Sequence, residues 1–170
     1  MKRFEIEPVR RYRDFVDGQI AESWGAHFIV SKGRLHDTRL HPGFAAVAGG
    51  AVIGYILYWL ENGECEITVL ESFREKQGVG SALIGAVVQA AKDAFCRRVW
   101  LVTTNDNIQA IRFYQRYGFA LRAVHIDAMD EARKLKPQIP LTGCDDIPIA
   151  HEFEFEMLLV FRGFDARRER

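Results

Sequence analysis

The segment Gln77-Gly78-Val79-Gly80-Ser81 puts two glycines where an extended run gives way to a helical one. Glycine lets the backbone approach a ligand closely, and the free amides of the helix's first turn, from Gln77 to Ala82, can hold phosphate oxygens with help from the helix dipole. The same spacing also serves a plain tight turn from strand to helix. A second segment runs from Asn107 to Phe119, with Ala110, Tyr114 and Gly118 at fixed offsets. Asn107 reads as a helix cap, and Ala110 and Tyr114 lie one turn apart on one face, directed at whatever lies beside the first segment's helix. Read alone, that helix is also an ordinary capped helix with a core tyrosine. The two segments together, about 30 residues apart and separated by a helix and a strand, are far more specific. Carboxylates supply the other candidates. Between Glu64 and Val69, alternation sends Glu64, Glu66 and Thr68 to one face of a strand and Cys65, Ile67 and Val69 to the other. That makes Glu66, and after it Glu64, a candidate base, set against a solvated strand face. Glu152, Glu154 and Glu156 alternate in the same way along the last strand, where at least two are expected to form only a polar face. His36 and His41 read as surface-loop histidines.

These residues need elements to hold them. Residues 3 to 7 alternate as a short strand, and Val9 to Trp24 has helical spacing in Val9, Tyr12, Phe15, Val16, Ile20 and Trp24. Phe28 to Val30 is a short strand or loop, and the polar run from Ser31 to Pro42 is a surface connection. Phe44 to Ala48 and Ala51 to Leu60 pair as a hairpin about Gly49-Gly50, and the Asn62-Gly63 turn leads into a strand from Glu64 to Leu70. The period then changes: residues 79 to 95 form the clearest amphipathic helix. It is followed by a strand from Arg98 to Thr103, a helix from Asn107 to Tyr117 closed by Gly118, and a strand from Phe119 to Val124. Ile126 to Leu135 reads as a short helix, Pro137, Pro140 and Pro148 mark a loop, and Phe153 to Phe161 is a final strand. That strand lies either inside the sheet or at a homodimer contact. The reading is an α/β fold, antiparallel in its first half, with parallel pairing at residues 98 to 103.

Composition narrows the partners. The chain has 170 residues, with 23 basic and 23 acidic side chains. One domain, residues 1 to 170, is expected from that length. The charge balance supplies no basic excess for nucleic acid and no polybasic run for an anionic membrane. Gly43 to Leu60 is 18 residues long without a formal charge, yet Gly49-Gly50 divides it, and a hairpin explains it better than a membrane span. The charged start, Met1 to Glu7, does not read as a secretory leader. Cys65, Cys96 and Cys144 show neither a disulfide framework nor zinc-ligand spacing, so no metal is expected and a cytoplasmic location is. Rossmann and P-loop readings fit poorly, because the third glycine and the Gly-Lys-Ser/Thr run are missing.

On these two segments the chain resembles the GCN5-related N-acetyltransferases (GNAT). That family's phosphate loop, Gln/Arg-x-x-Gly-x-Gly/Ala, corresponds to Glu75 to Gly80, with Glu75 in the position usually held by Gln or Arg. Its asparagine, alanine, tyrosine and Gly-Phe positions are all matched between Asn107 and Phe119. The strong resemblance spans residues 64 to 124, and the run from Thr103 to Asn107 with Lys136-Pro137 and Ile147-Pro148 downstream is similar to bacterial-type members. It implies a GNAT fold: a mixed sheet of about six to seven strands, splayed at the cofactor site and flanked by helices. It also implies acetyl-CoA as co-substrate, its pantetheine arm held by main-chain groups near Val69 and Leu70, and a primary amine as acceptor, small molecule or peptide. An extended connection, residues 125 to 151, replaces a shorter family link.

Acetyl transfer from a thioester requires a neutral amine, a stabilised oxyanion and a proton for the departing thiolate. Tyr114 suits the last need, since a phenol of pKa about 10 stays protonated where a thiol of about 8.5 ionises. Glu66, Glu64 or a water chain would serve as base. A non-catalytic acyl-CoA sensor and an interaction domain are the alternative readings. The loop from Ser31 to Pro42 and the connection 125 to 151 are expected to form one wall of the acceptor pocket.

Overall fold

The computed structural model describes residues 4–160. In chain order, β1 (Glu5–Pro8) leads through a 3₁₀ turn (Val9–Tyr12) into α1 (Arg13–Trp24), so the helix expected from Val9 begins one turn late. Next come β2 (Phe28–Ser31), β3 (Arg34–Asp37), β4 (Gly43–Ala48), β5 (Ala51–Glu61) and β6 (Glu64–Ser72). The second half holds α2 (Val79–Asp93), β7 (Arg98–Thr104), α3 (Ile108–Tyr117), β8 (Ala120–His125), α4 (Ala128–Leu135) and β9 (Glu152–Leu158). Phe161, the expected end of the last strand, lies outside the described residues.

Among the described residues, seven strands form one mixed sheet in the order β1-β4-β5-β6-β7-β9-β8, and β2 and β3 form a separate hairpin. Tight turns of paired positive φ set the antiparallel half: Gly49-Gly50 joins β4 to β5, and Asn62-Gly63 joins β5 to β6. β9 lies between β7 and β8, so the last strand is internal. The parallel pairing of β6 with β7 covers only Glu64 to Glu66 against Arg98 to Trp100, after which the two strands diverge. No helix among the described residues is long and apolar enough to cross a membrane; Gly43 to Leu60 is a hairpin within the sheet.

The hairpin β2–β3 was not expected. Lys32 and Gly33 both have positive φ and make a two-residue turn between Ser31 and Arg34, so Ser31 and Arg34 to Asp37 of the supposed surface connection are paired strand.

Two apolar layers cover the sheet. On one face Cys65, Ile67, Val99, Leu101 and Phe155 pack beneath α2 and α3, with Leu83, Ile84, Val87 and Tyr114. Gly54 allows this: a Cβ there would meet Val79 and the Glu71 carbonyl at 2.8 Å, so α2 starts directly against β5. On the other face Val16 and Ile20 of α1 and Ile29 of β2 pack on Tyr55, Leu57 and Val69. Val69 therefore shares a face with Glu66, against the simple alternation. Leu57 pairs with Val69 and Tyr58 with Ile67, leaving Thr68 as an unpaired bulge residue that inverts every side chain after it.

Candidate active site

The divergence of β6 from β7 opens the sheet at its centre, and a recess lies on each face. On the α2–α3 face is a cleft of about 790 Å³. Gly78, at φ +76°, ends the loop and starts α2. Gly78, Val79, Gly80 and Ser81 line the cleft, as do Leu70, Asn107, Ala110 and Tyr114. The Ala82 amide is bonded to the Gly78 carbonyl at 3.0 Å, so the free amides stop at Ser81. Neither Gln77 nor Ala82 lines the cleft. The Val69 side chain is buried in the opposite layer, so only its main chain is available at the gap.

Asn107 caps α3, its Oδ1 accepting from the Ala110 amide at 3.2 Å. Glu75, the departure from the family pattern, accepts a hydrogen bond from Gln109 at 3.3 Å and so ties the loop to α3. The sequence reading passed over the cationic rim, to which Arg74 and Lys76 come from the loop and Arg112 and Arg116 from α3. The four-residue spacing of the two α3 arginines was the available signal. Backbone amides and four cations fit a polyphosphate such as that of acetyl-CoA. Tyr114 is 9% exposed and set among Phe113, Phe119 and Phe155. Burial pushes its hydroxyl up to about 12, so it is protonated at neutral pH.

On the opposite face, a cavity of about 310 Å³ is lined by Lys32, Trp59, Glu61, Asn62, Glu64, Glu66, Arg97, Arg98 and Trp100. The carboxylates expected on a solvated strand face are buried here: Glu66, which lines the cavity, and Glu152 and Glu154 of β9, which do not, are 6%, 2% and 3% exposed. The β2–β3 hairpin covers them. Its tip docks on β9, the Lys32 amide donating to Glu152 at 3.1 Å and the Lys32 ammonium pairing with Glu154 at 3.0 Å. Lys32 also stands 4.8 Å from the centre of the Trp100 ring. Arg98 binds Glu64, Glu154 and Glu156 at 2.8–3.0 Å. Burial pushes Glu154 up, but bonds from His125, Lys32 and Arg98 outweigh it and leave its pKa below the ordinary value.

Glu66 differs from these neighbours. Burial pushes it up to about 7, partly opposed by Ser31 and by the charges of Arg34 and Lys32. Its Oε1 is sealed from solvent and has no hydrogen-bond partner among the described residues. Glu64, the second candidate, is engaged by Arg97 and Arg98, whose bonds and charges outweigh its desolvation and hold it low. A carboxyl near 7 takes up a proton at neutral pH; one held low by two guanidinium groups does not.

His36 and His41, read as surface histidines, are both buried, because the hairpin folds onto the sheet. Residues 125–151 do not line the cavity. They brace the hairpin from behind: Met129, Ala132 and Ile149 pack with Val30, and the Lys136 ammonium bonds the Phe28 carbonyl at 2.9 Å.

A mixed sheet parted at its centre, with the free amides of a helix start beside the gap, is the architecture of the acetyltransferases. The solved structure of a GNAT family acetyltransferase from Elizabethkingia anophelis with acetyl-CoA bound superposes with a TM-score of 0.66 at 17% identity, covering 94% of this chain and all of that one. Residues 8–119 match the acetyltransferase (GNAT) family, and the chain belongs to it. Two relatives from Bacillus subtilis (strain 168) are similar along most of their length. They are the uncharacterized protein YdhI, 41% identical over 82% of this chain and 88% of its own, and the uncharacterized protein YxbD, 33% identical over 82% and 89%.

Proposed function

We propose that this protein moves an acetyl group from acetyl-CoA to a primary amine by direct attack while both substrates are bound. The observation that carries the reading is a recess on each face of the sheet: a cationic cleft with free helix amides beside the gap, and on the other face, over the last paired residues of β6 and β7, a cavity lined by the buried Glu66, whose Oε1 has no hydrogen-bond partner among the described residues. Acetyl-CoA supplies a thioester carbonyl for the amine to attack and a thiolate to depart. The amides from Gly78 to Ser81, with Arg74, Lys76, Arg112 and Arg116, hold its phosphates. The β6 edge at Val69 and Leu70, unpaired by β7, offers main-chain groups to the acyl arm. Glu66 takes the proton from the acceptor ammonium, being ionised in a useful fraction at neutral pH. Tyr114, protonated throughout, donates its hydroxyl proton to the departing sulfur.

The acceptor is a small-molecule or peptide amine that reaches Glu66 past Trp59 and Trp100. Release of CoA, followed with a thiol reagent across a panel of amines, tests the reading. One or more amines should give turnover that Glu66→Gln and Tyr114→Phe both reduce. Tight acetyl-CoA binding in calorimetry without release on any amine would identify a non-catalytic acyl-CoA-binding protein instead.

A further inference from the structure

His36 and His41 have no part in the chemistry so far, yet both are buried behind Glu66. The His36 Nε2 lies 3.7 Å from Glu66 Oε2, and its ring meets the His41 ring edge to face at 5.3 Å. His41 is fixed from three sides. Its Nδ1 is 2.8 Å from the Thr68 hydroxyl, its ring lies 5.1 Å from that of Trp59, and its carbonyl accepts from Arg13 of α1 at 3.0 Å. His36 is held in turn by the hairpin register, opposite Ile29.

We propose that His36, set in place by His41 and Thr68, is a positioning residue that holds the Glu66 carboxylate in the orientation from which it meets the acceptor amine. The inference rests on the reading of Glu66 as base. A carboxylate with one oxygen unpartnered keeps a useful direction only if the other oxygen is held, and His36 is the group placed to hold it. The separation of 3.7 Å is beyond a hydrogen bond, and contacts between catalytic groups are commonly long without substrate and tighten once it is bound. Burial and the charge of Arg34 keep His36 below its ordinary value, and burial takes His41 down to about 4. Both rings are therefore neutral at neutral pH, and His36 can orient the carboxylate without neutralising it. The proton leaves the amine nitrogen for the Glu66 carboxylate and does not pass to the imidazole. Of the other groups facing Glu66, Lys32 is engaged with Glu154, Arg34 with Glu61, Arg98 with Glu64 and Glu152 with the Lys32 amide, while the buried Ser31 hydroxyl makes no hydrogen bond among the described residues. The anchor is Thr68, the bulge residue. The bulge of β6 thus anchors the ring stack behind the base.

The test uses the full chain, with n-propylamine as acceptor and the Glu66 carboxyl titrated by carbon-13 NMR in glutamate-labelled protein, its signal assigned by loss in Glu66→Gln. His36→Leu should move the Glu66 midpoint to higher pH, since the carboxylate loses its polar neighbour, and lower kcat roughly tenfold with the KM for acetyl-CoA unchanged. His36→Gln, which keeps an N–H in the Nε2 position, should restore most of the rate, and His41→Asn should outperform His41→Leu for the same reason at Thr68. An unmoved midpoint in folded His36→Leu overturns the inference, with or without turnover of this amine. If Glu66→Gln turns over n-propylamine as fast as the unmodified protein, the base reading itself fails. If that variant is slow while His36→Leu behaves like the parent, only the positioning inference fails.

Discussion

At the scale of single residues, Tyr114 and Glu66 make opposite use of burial. Desolvation raises both, which leaves the phenol firmly protonated and brings the carboxyl to about 7. Tyr114→Phe keeps the ring among Phe113, Phe119 and Phe155 and deletes the proton. Turnover should fall about 100-fold with acetyl-CoA affinity within twofold and a nearly unchanged melting temperature, as steady-state kinetics and calorimetry would read. For Glu66 the folded pKa lies above the ordinary 4.5, so the folded chain binds the extra proton and stability falls as pH rises from about 4.5 through about 7. Glu66→Gln escapes that cost. Urea unfolding should find it close to the parent at pH 5 and more stable by about 3 kcal/mol at pH 8, since each tenfold gain in proton affinity on folding is worth about 1.4 kcal/mol. A gap that does not widen with pH would mean that Glu66 is not protonated in the fold. The two residues were legible in the sequence to different degrees. Tyr114 stands in a helix whose cap, spacing and closing glycine are all local signals. Glu66 could be placed on a face but not judged buried, because its cover comes from residues 31 to 36, which read as a polar loop.

Elements show the same division. The hairpins at Gly49-Gly50 and Asn62-Gly63 and the helices α2 and α3 follow from turn chemistry and periodicity, and they were readable to within a residue or two. The parity of β6 was not, since a bulge at Thr68 leaves no mark in a pattern of alternating residues. Nor was the burial of Glu152 and Glu154, which depends on Lys32, 120 residues away from Glu152 in sequence. The long connection 125–151 was expected as a wall of the acceptor pocket; it packs instead against the back of the β2–β3 hairpin that covers Glu66. Asn105 fastens it, donating to the Pro148 carbonyl at 2.9 Å and accepting from the Ala150 and His151 amides at 2.9 Å each. Asn105→Ala removes all three bonds and should cost about 2 kcal/mol in chemical denaturation. Because the fastening acts on the hairpin side, acceptor KM should rise while acetyl-CoA affinity stays level. A loss confined to acetyl-CoA binding would assign Asn105 to the donor cleft.

For the molecule as a whole, the governing feature is that β6 and β7 are joined by three residue pairs and then part. Central strands of a sheet ordinarily exchange their amide hydrogens most slowly, since opening them requires global unfolding. Here the order should be locally reversed. In deuterated buffer, the β6 amides beyond Ile67 that face the gap should take up label within the time that the β4–β5 ladder takes up almost none, although both lie deep in the fold. Added acetyl-CoA should slow that uptake selectively, and mass spectrometry of peptides covering residues 66–72 would show it. The middle of this sheet would then behave kinetically like an edge until its co-substrate supplies the missing neighbour.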